Sequence, residues 1–231
     1  MSDASQPAEA SEPKAIKVWD LAVRLCHIGF TVLIPLLWWT AENSHWLLHK
    51  RLGLCLLGLL VFRMLWGVFG TRTARFASFV RGPRAVLAYL RGLSDGTDQA
   101  IGHNPLGALS VVALLLAMLA QAGSGLFAGD PFDGATGPLN HLVSVNTADR
   151  LTDWHTWFYN IVLALVGLHL LAIAYYQLIR RADLVGPMLT GRRHYPTERV
   201  DNDLPSVLGL SVSLIPAFAF IAWVLSGIGA S

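Results

Sequence analysis

The sequence predicts an all-α protein embedded in a membrane, and three observations predict it. Hydrophobic residues make up 54% of the 231-residue chain and charged residues 14%, against about 25% charged in soluble domains. Five stretches are each apolar enough and long enough to cross a hydrocarbon core, which takes about 20 residues as helix. The basic residues, finally, are shared unequally among the segments between those stretches. Almost no chain is left over to build the rest of a large soluble enzyme around such helices.

The chain opens on "MSDASQPAEASEPKAIK", which is polar, rich in small residues and acidic as often as basic. It lacks the basic start and immediate apolar core of a signal peptide. Residues 1–17 are therefore expected to form a disordered cytoplasmic tail, and the first apolar stretch to stay in place as an anchor. The five spans are expected at about 21–41, 48–69, 105–128, 154–179 and 205–228.

With the N-terminus in the cytoplasm, thirteen Lys and Arg fall on the inner side and three (Lys50, Arg51 and Arg150) on the outer side. Arg63 lies within the second span and is left out of that count. This is the bias expected of cytoplasmic segments, and it places the C-terminus outside. Trp38, Trp39, Trp46, Trp154 and Trp157 then all fall at the outer boundary, where an aromatic belt belongs. The net charge of +2 is too small to suggest a nucleic-acid partner.

Between the second and third spans, "TRTARFASFVRGPRAVLAYLRG" places Arg and apolar residues at roughly helical spacing around a Gly-Pro break. It reads as an interfacial segment on an anionic leaflet. In "GHNPLGAL", Asn104 is placed to cap the third span, and Pro105 sits at the first helical position, where its missing N–H costs nothing. Thr152 or Asp153 is expected to cap the fourth span. The third loop, 129–153, carries Gly, Pro, Asn and Asp and reads as an outer lid. The fourth, 180–204, is polar and basic.

Two cysteines, Cys26 and Cys55, lie in predicted spans. Neither belongs to a Cys-x-x-Cys-His run, so covalent haem attachment is not expected. Two thiols are also too few for an iron–sulfur cluster. Both read as small buried hydrophobes.

There are eight histidines, and an ionisable side chain within a span is expensive enough to be a functional hypothesis by default. His155 and His169 are fourteen residues apart. At about 100° per residue they fall roughly 40° short of four turns, so they share a face about 21 Å apart along the axis. With the orientation above, His155 lies near the outer surface and His169 in the inner half. His27 lies in the inner half of the first span and His49 at the outer edge of the second. Two depths result, at which His27 can face His169 and His49 can face His155.

Opposed imidazoles at one depth of an apolar bundle suit a low-spin haem b with two axial histidines. Zinc would want three or four ligands including Cys or a carboxylate, and a proton relay would want carboxylates between the layers. Gly53, Gly58, Gly107, Gly123, Gly125 and Gly167 would admit a flat macrocycle close to the backbone, or serve ordinary close helix packing in lipid. His141 and His194 are loop residues without an expected role.

"KVWDLAVRLCHIGF", "HKRLGLCLLGLLVFRMLWG", "RFASFVRGPRAVLAYLRG", "GHNPLGAL" and "LHLLAIAYYQLIRRADLVGPMLTGRR" together resemble the bacterial cytochrome b561 / nickel–iron hydrogenase b-type cytochrome family, over about residues 17–193. The resemblance implies an integral membrane four-helix haem-binding bundle, here over 18–193, with 194–231 as a linker and one extra C-terminal transmembrane helix. It implies two non-covalent haem b groups in the bacterial inner membrane. His27, His49, His155 and His169 match the four ligand places of the family. The pairs would be His27 with His169 on the inner iron and His49 with His155 on the outer.

The family passes electrons between the quinone pool and a redox partner, either a hydrogenase or other dehydrogenase, or a cytochrome c. Some members act alone as oxidoreductases that oxidise quinol and reduce a small oxidant such as superoxide. A metal or proton transporter using intramembrane His is the rival of another class. Whether the chain forms a homodimer is open. The fifth span lies beyond the four-helix core and is expected to be peripheral or partner-binding. His45, one turn before His49, is an alternative outer ligand. His103 stands at the inner end of the third span, as a contact to a haem propionate or quinone head group or as an interfacial cap. Arg63, fourteen residues after His49, falls at the inner depth, where it either pairs with a propionate or snorkels to the surface.

Overall fold

Five helices long and apolar enough to cross a membrane dominate the computed structural model, which describes residues 14–92, 102–129, 135–195 and 203–228. They are α1 (Leu21–Glu42), α2 (Trp46–Phe69), α5 (Pro105–Gly125), α6 (Val145–Ala174) and α8 (Val207–Ile228). Two short helices, α3 (Phe76–Phe79) and α4 (Pro83–Arg91), lie between α2 and α5, and α7 (Val185–Thr190) follows α6. The break between α3 and α4 falls at Gly82, with Pro83 opening α4, as the Gly-Pro step dictates.

The helix ends follow from local chemistry. Asp20 caps α1, its carboxylate accepting from Val23 N–H at 2.8 Å. Asn104 caps α5 by accepting from Gly107 N–H at 2.7 Å, with Pro105 next in line. The expected cap of the fourth span is corrected. Neither Thr152 nor Asp153 starts that helix; Ser144 does, and α6 begins at Val145. The apolar run starts only at Trp154, but a helix does not end where a bilayer does, and two polar turns precede the span. Thr152 instead uses its hydroxyl to accept from Gly129 N–H at 2.8 Å, tying α6 to the loop after α5.

The tail also differs from expectation at its end. Lys14–Lys17 forms a strand, β1, paired antiparallel with β2 (Arg192–Tyr195). The backbone of Val18 continues the tie by donating to the carbonyl of Gly191 at 2.8 Å. Residues 1–13, expected to be disordered, lie outside the described residues.

The bundle is built from two antiparallel pairs, α1 with α2 and α5 with α6, which meet chiefly through α2 and α5. Leu56 and Leu60 of α2, Leu115, Ala117 and Met118 of α5 and Val162 of α6 form the buried seam between them. The backbones of α1 and α2 approach that of α6 only in passing. The fifth span, α8, packs on α2: Val224 is fully buried against Leu54 and Leu57. Gly58 lets it come close, since a Cβ there would already touch Ile221 at 3.4 Å. Much of the remaining surface is Leu, Ile, Val and Trp facing outward, as a lipid solvent requires.

Candidate functional site

Across the gap between α6 and the α1–α2 pair, four histidines reach toward one another. His27 of α1 faces His169 of α6, ring centroids 6.5 Å apart. His49 of α2 faces His155 of α6, ring centroids 6.3 Å apart and planes at 85°. The depth pairing drawn from helical spacing is the pairing the fold makes. All four are half-buried. Among the described residues no group of three or more His, Cys, Asp or Glu gathers around either pair.

Each ring of the His49–His155 layer is anchored to a neighbouring helix. His49 Nδ1 lies 3.0 Å from the carbonyl of Leu37 on α1, and His155 Nδ1 lies 2.8 Å from the carbonyl of Gln121 on α5. A nitrogen facing a carbonyl must carry the proton, so Nδ1 donates and Nε2 keeps its lone pair. The side-chain amide of Gln121 stands 3.2 Å from that nitrogen of His155. Its Oε1 is buried with no hydrogen-bond partner. Any metal bound at Nε2 therefore requires the Gln121 side chain to turn aside.

Of the six glycines singled out, Gly125 bears most directly on this layer. A Cβ there would lie 2.6 Å from His155 Cε1, so the helix pair can seat the ring only against glycine. Gly123 and Gly167 meet nothing within 4 Å, whereas Gly58 serves the packing of α8.

Around the other layer the chain gathers polar groups from distant segments. Arg63 is 5% exposed; its guanidinium donates to the Ala74 carbonyl at 3.4 Å and stands over the Phe76 ring at 5.2 Å. The snorkelling alternative is thereby corrected, because the side chain stays inside. Asp20, fully buried, accepts from Trp66 Nε1 at 3.0 Å and from the Thr71 hydroxyl, as well as capping α1. Sequence reasoning missed it, although an Asp just before an apolar run is a cap signal. One carboxylate thus fixes the start of α1 to the end of α2, seven residues before His27.

His103 lies between Trp19 and Phe79, at 4.6 Å from each ring centroid. Burial first, then the charge of Arg63 and the neighbouring His169 and His27, push its imidazole down to about 3. It is thus neutral at physiological pH, and its Nδ1 is buried without a partner. Beside it, Asn104 donates to the Tyr89 hydroxyl at 2.8 Å, and Tyr89 meets Tyr176 at 2.8 Å. These bonds dock α4 onto the ends of α5 and α6, where Tyr175–Ile179 winds as a π-helical turn.

His45 stands at the N-terminal boundary of α2 without a side-chain capping bond and is exposed, its ring 5.1 Å from Trp39; it is His49 that meets His155. His141 is exposed in a 3-10 turn, Asn140–Leu142, and His194 lies in β2.

A bundle of apolar spans that turns histidines toward one another at two depths has the architecture of a membrane cytochrome of the b type. The family model described as prokaryotic cytochrome b561 matches residues 18–191, and the chain belongs to that family. It is accordingly a multi-pass membrane haem protein of electron transport. No individual curated protein and no solved structure was found to match it.

Proposed function

We propose that the chain carries electrons across the bacterial inner membrane, between the quinone pool and a redox partner protein, through two non-covalent haem b groups. His49 and His155 would hold one and His27 and His169 the other. The N-terminus would lie in the cytoplasm and the C-terminus in the periplasm, as the charge bias favours.

The observation that carries this reading is a length. An imidazole nitrogen lies about 2 Å from a bound transition metal, and roughly 1 Å more reaches the ring centre, so two axial histidines stand with their centroids about 6 Å apart. The separations found are 6.3 and 6.5 Å. A donor set of two imidazoles, with no third His, Cys, Asp or Glu gathered beside them among the described residues, is one that a haem would complete.

When bound, the haems supply one-electron chemistry at iron; the chain supplies ligation, burial and fixed charge. The Nδ1 anchors of His49 and His155 orient two of the ligands. Gly125 gives the His155 ring its place. Arg63 and His103 would meet a propionate of the His27–His169 haem, for which a planar guanidinium is well suited.

The purified protein should yield two haem b per chain by pyridine haemochrome, and acid-acetone should extract both. Haem retained covalently, or a stoichiometry of one, would overturn the two-layer reading.

A further inference from the structure

The two histidines of the His49–His155 layer come from different helices and lean on different neighbours, yet their surroundings repeat. The Leu37 carbonyl on α1 faces His49 Nδ1 and also accepts the hydroxyl of Thr40, three residues on, at 2.9 Å. That hydroxyl oxygen lies 3.1 Å from His49 Nδ1. The Gln121 carbonyl on α5 faces His155 Nδ1, and the hydroxyl of Ser124, again three residues on, donates toward that carbonyl at 3.0 Å and toward the Ala120 carbonyl at 2.8 Å. Ser124 Oγ lies 3.4 Å from His155 Nδ1. Both hydroxyls are buried, Thr40 completely and Ser124 to 6% exposure.

A hydroxyl has one proton. With that proton directed to a helix carbonyl, the oxygen turns its lone pairs toward the imidazole. Nδ1 then faces two acceptors, a carbonyl and a hydroxyl, and no donor. A ring turned to put its bare nitrogen there would set lone pairs against lone pairs in a buried site, which costs the desolvation of every group left unpaired. Among the described residues, neither His27 nor His169 has such an anchor on its ring; their surroundings show burial without a carbonyl partner.

We propose that Thr40 and Ser124 are positioning residues for the haem of the His49–His155 layer, each fixing its ligand with the proton on Nδ1 and Nε2 turned to the metal. The inference rests on the ligand assignment made above. It has an electronic consequence. An Nδ1–H that gives its proton to two acceptors makes the imidazole a stronger donor. A stronger donor favours the ferric state, so the hydroxyls hold this haem's midpoint potential down.

The test uses the full-length, haem-loaded protein and the variants Thr40→Val, Ser124→Ala and Thr40→Ser. Redox titration and the low-spin EPR signal of each haem are read together, since ring orientation about the metal–nitrogen axis sets that signal. Thr40→Val and Ser124→Ala should each raise one midpoint potential and shift one EPR signal, leaving the other haem unmoved. Thr40→Ser should restore both values. If Thr40→Val loses that haem altogether, retention by Thr40→Ser still supports the hydroxyl, whereas loss in both variants shows that only packing matters and overturns the proposal. Potentials and signals that match wild type in Thr40→Val and Ser124→Ala also overturn it. A wild-type protein lacking two bis-imidazole low-spin signals would instead defeat the ligand assignment, so the two failures are distinct.

Discussion

His155 stands edge-on to His49 with ring centroids 6.3 Å apart, and its Nδ1 is tied at 2.8 Å to the carbonyl of Gln121 on a third helix. With the Leu37 carbonyl of α1 at His49 Nδ1, four of the spans meet at one pair of imidazoles. The consequences of that arrangement can be tested one residue at a time.

Gly125→Ala should damage the His49–His155 haem selectively. The added Cβ would lie 2.6 Å from His155 Cε1 and 2.9 Å from its Nδ1, closer than van der Waals contact allows, so the ring or the α5 backbone must shift. Overpacking of this kind typically costs about 1–3 kcal/mol. The expected spectrum shows weakened binding or an altered signal from one haem and an unchanged second haem. Gly123→Ala is the control, because a Cβ there meets nothing within 4 Å.

Arg63→Gln should lower the midpoint potential of the His27–His169 haem. Removing a buried positive charge disfavours the added electron. The scale is on the order of 1–2 kcal/mol, the interaction of unit charges roughly 8–16 Å apart at an effective dielectric of 20. Redox titration should show one component displaced downward, or that haem loosened, and the other nearly fixed. Two wild-type potentials would show that Arg63 serves only Ala74 and Phe76.

Truncation after Asp203 should leave both haems in place. α8 packs on the Leu54, Leu57 and Gly58 side of α2 and carries no histidine. Loss of the buried Val224 contact should still lower thermal stability, because α8 and α2 hold each other by van der Waals packing that lipid tails replace less closely. A stable, inserted truncation that has lost both haems would refute the peripheral role.

Much of this was legible in the sequence because two simple periodicities govern it. Five apolar runs give five spans, and a fourteen-residue interval sets two histidines on one helix face. Asn104 before Pro105 gives a cap from local chemistry alone. What was not legible depends on segments far apart in the chain. The pairing of Lys14–Lys17 with Arg192–Tyr195 joins two four-residue strands that carry no alternation of their own. Asp20 reads as a cap, but nothing local says that Trp66 and Thr71 share its carboxylate. Thr40 and Ser124 look like ordinary polar residues near helix ends until the fold sets each against an imidazole. The start of α6 was misplaced because the onset of hydrophobicity marks where a helix enters lipid, while Ser144 marks where the helix begins.

The central claim is that four histidines act as two pairs, and the loss of haem from single-ligand variants tests it most directly. His49→Ala and His155→Ala should each abolish the same redox component, and His27→Ala and His169→Ala should each abolish the other. If His27→Ala and His155→Ala remove the same component, or if any of the four variants keeps both haems with unchanged potentials, the paired-ligand account is wrong.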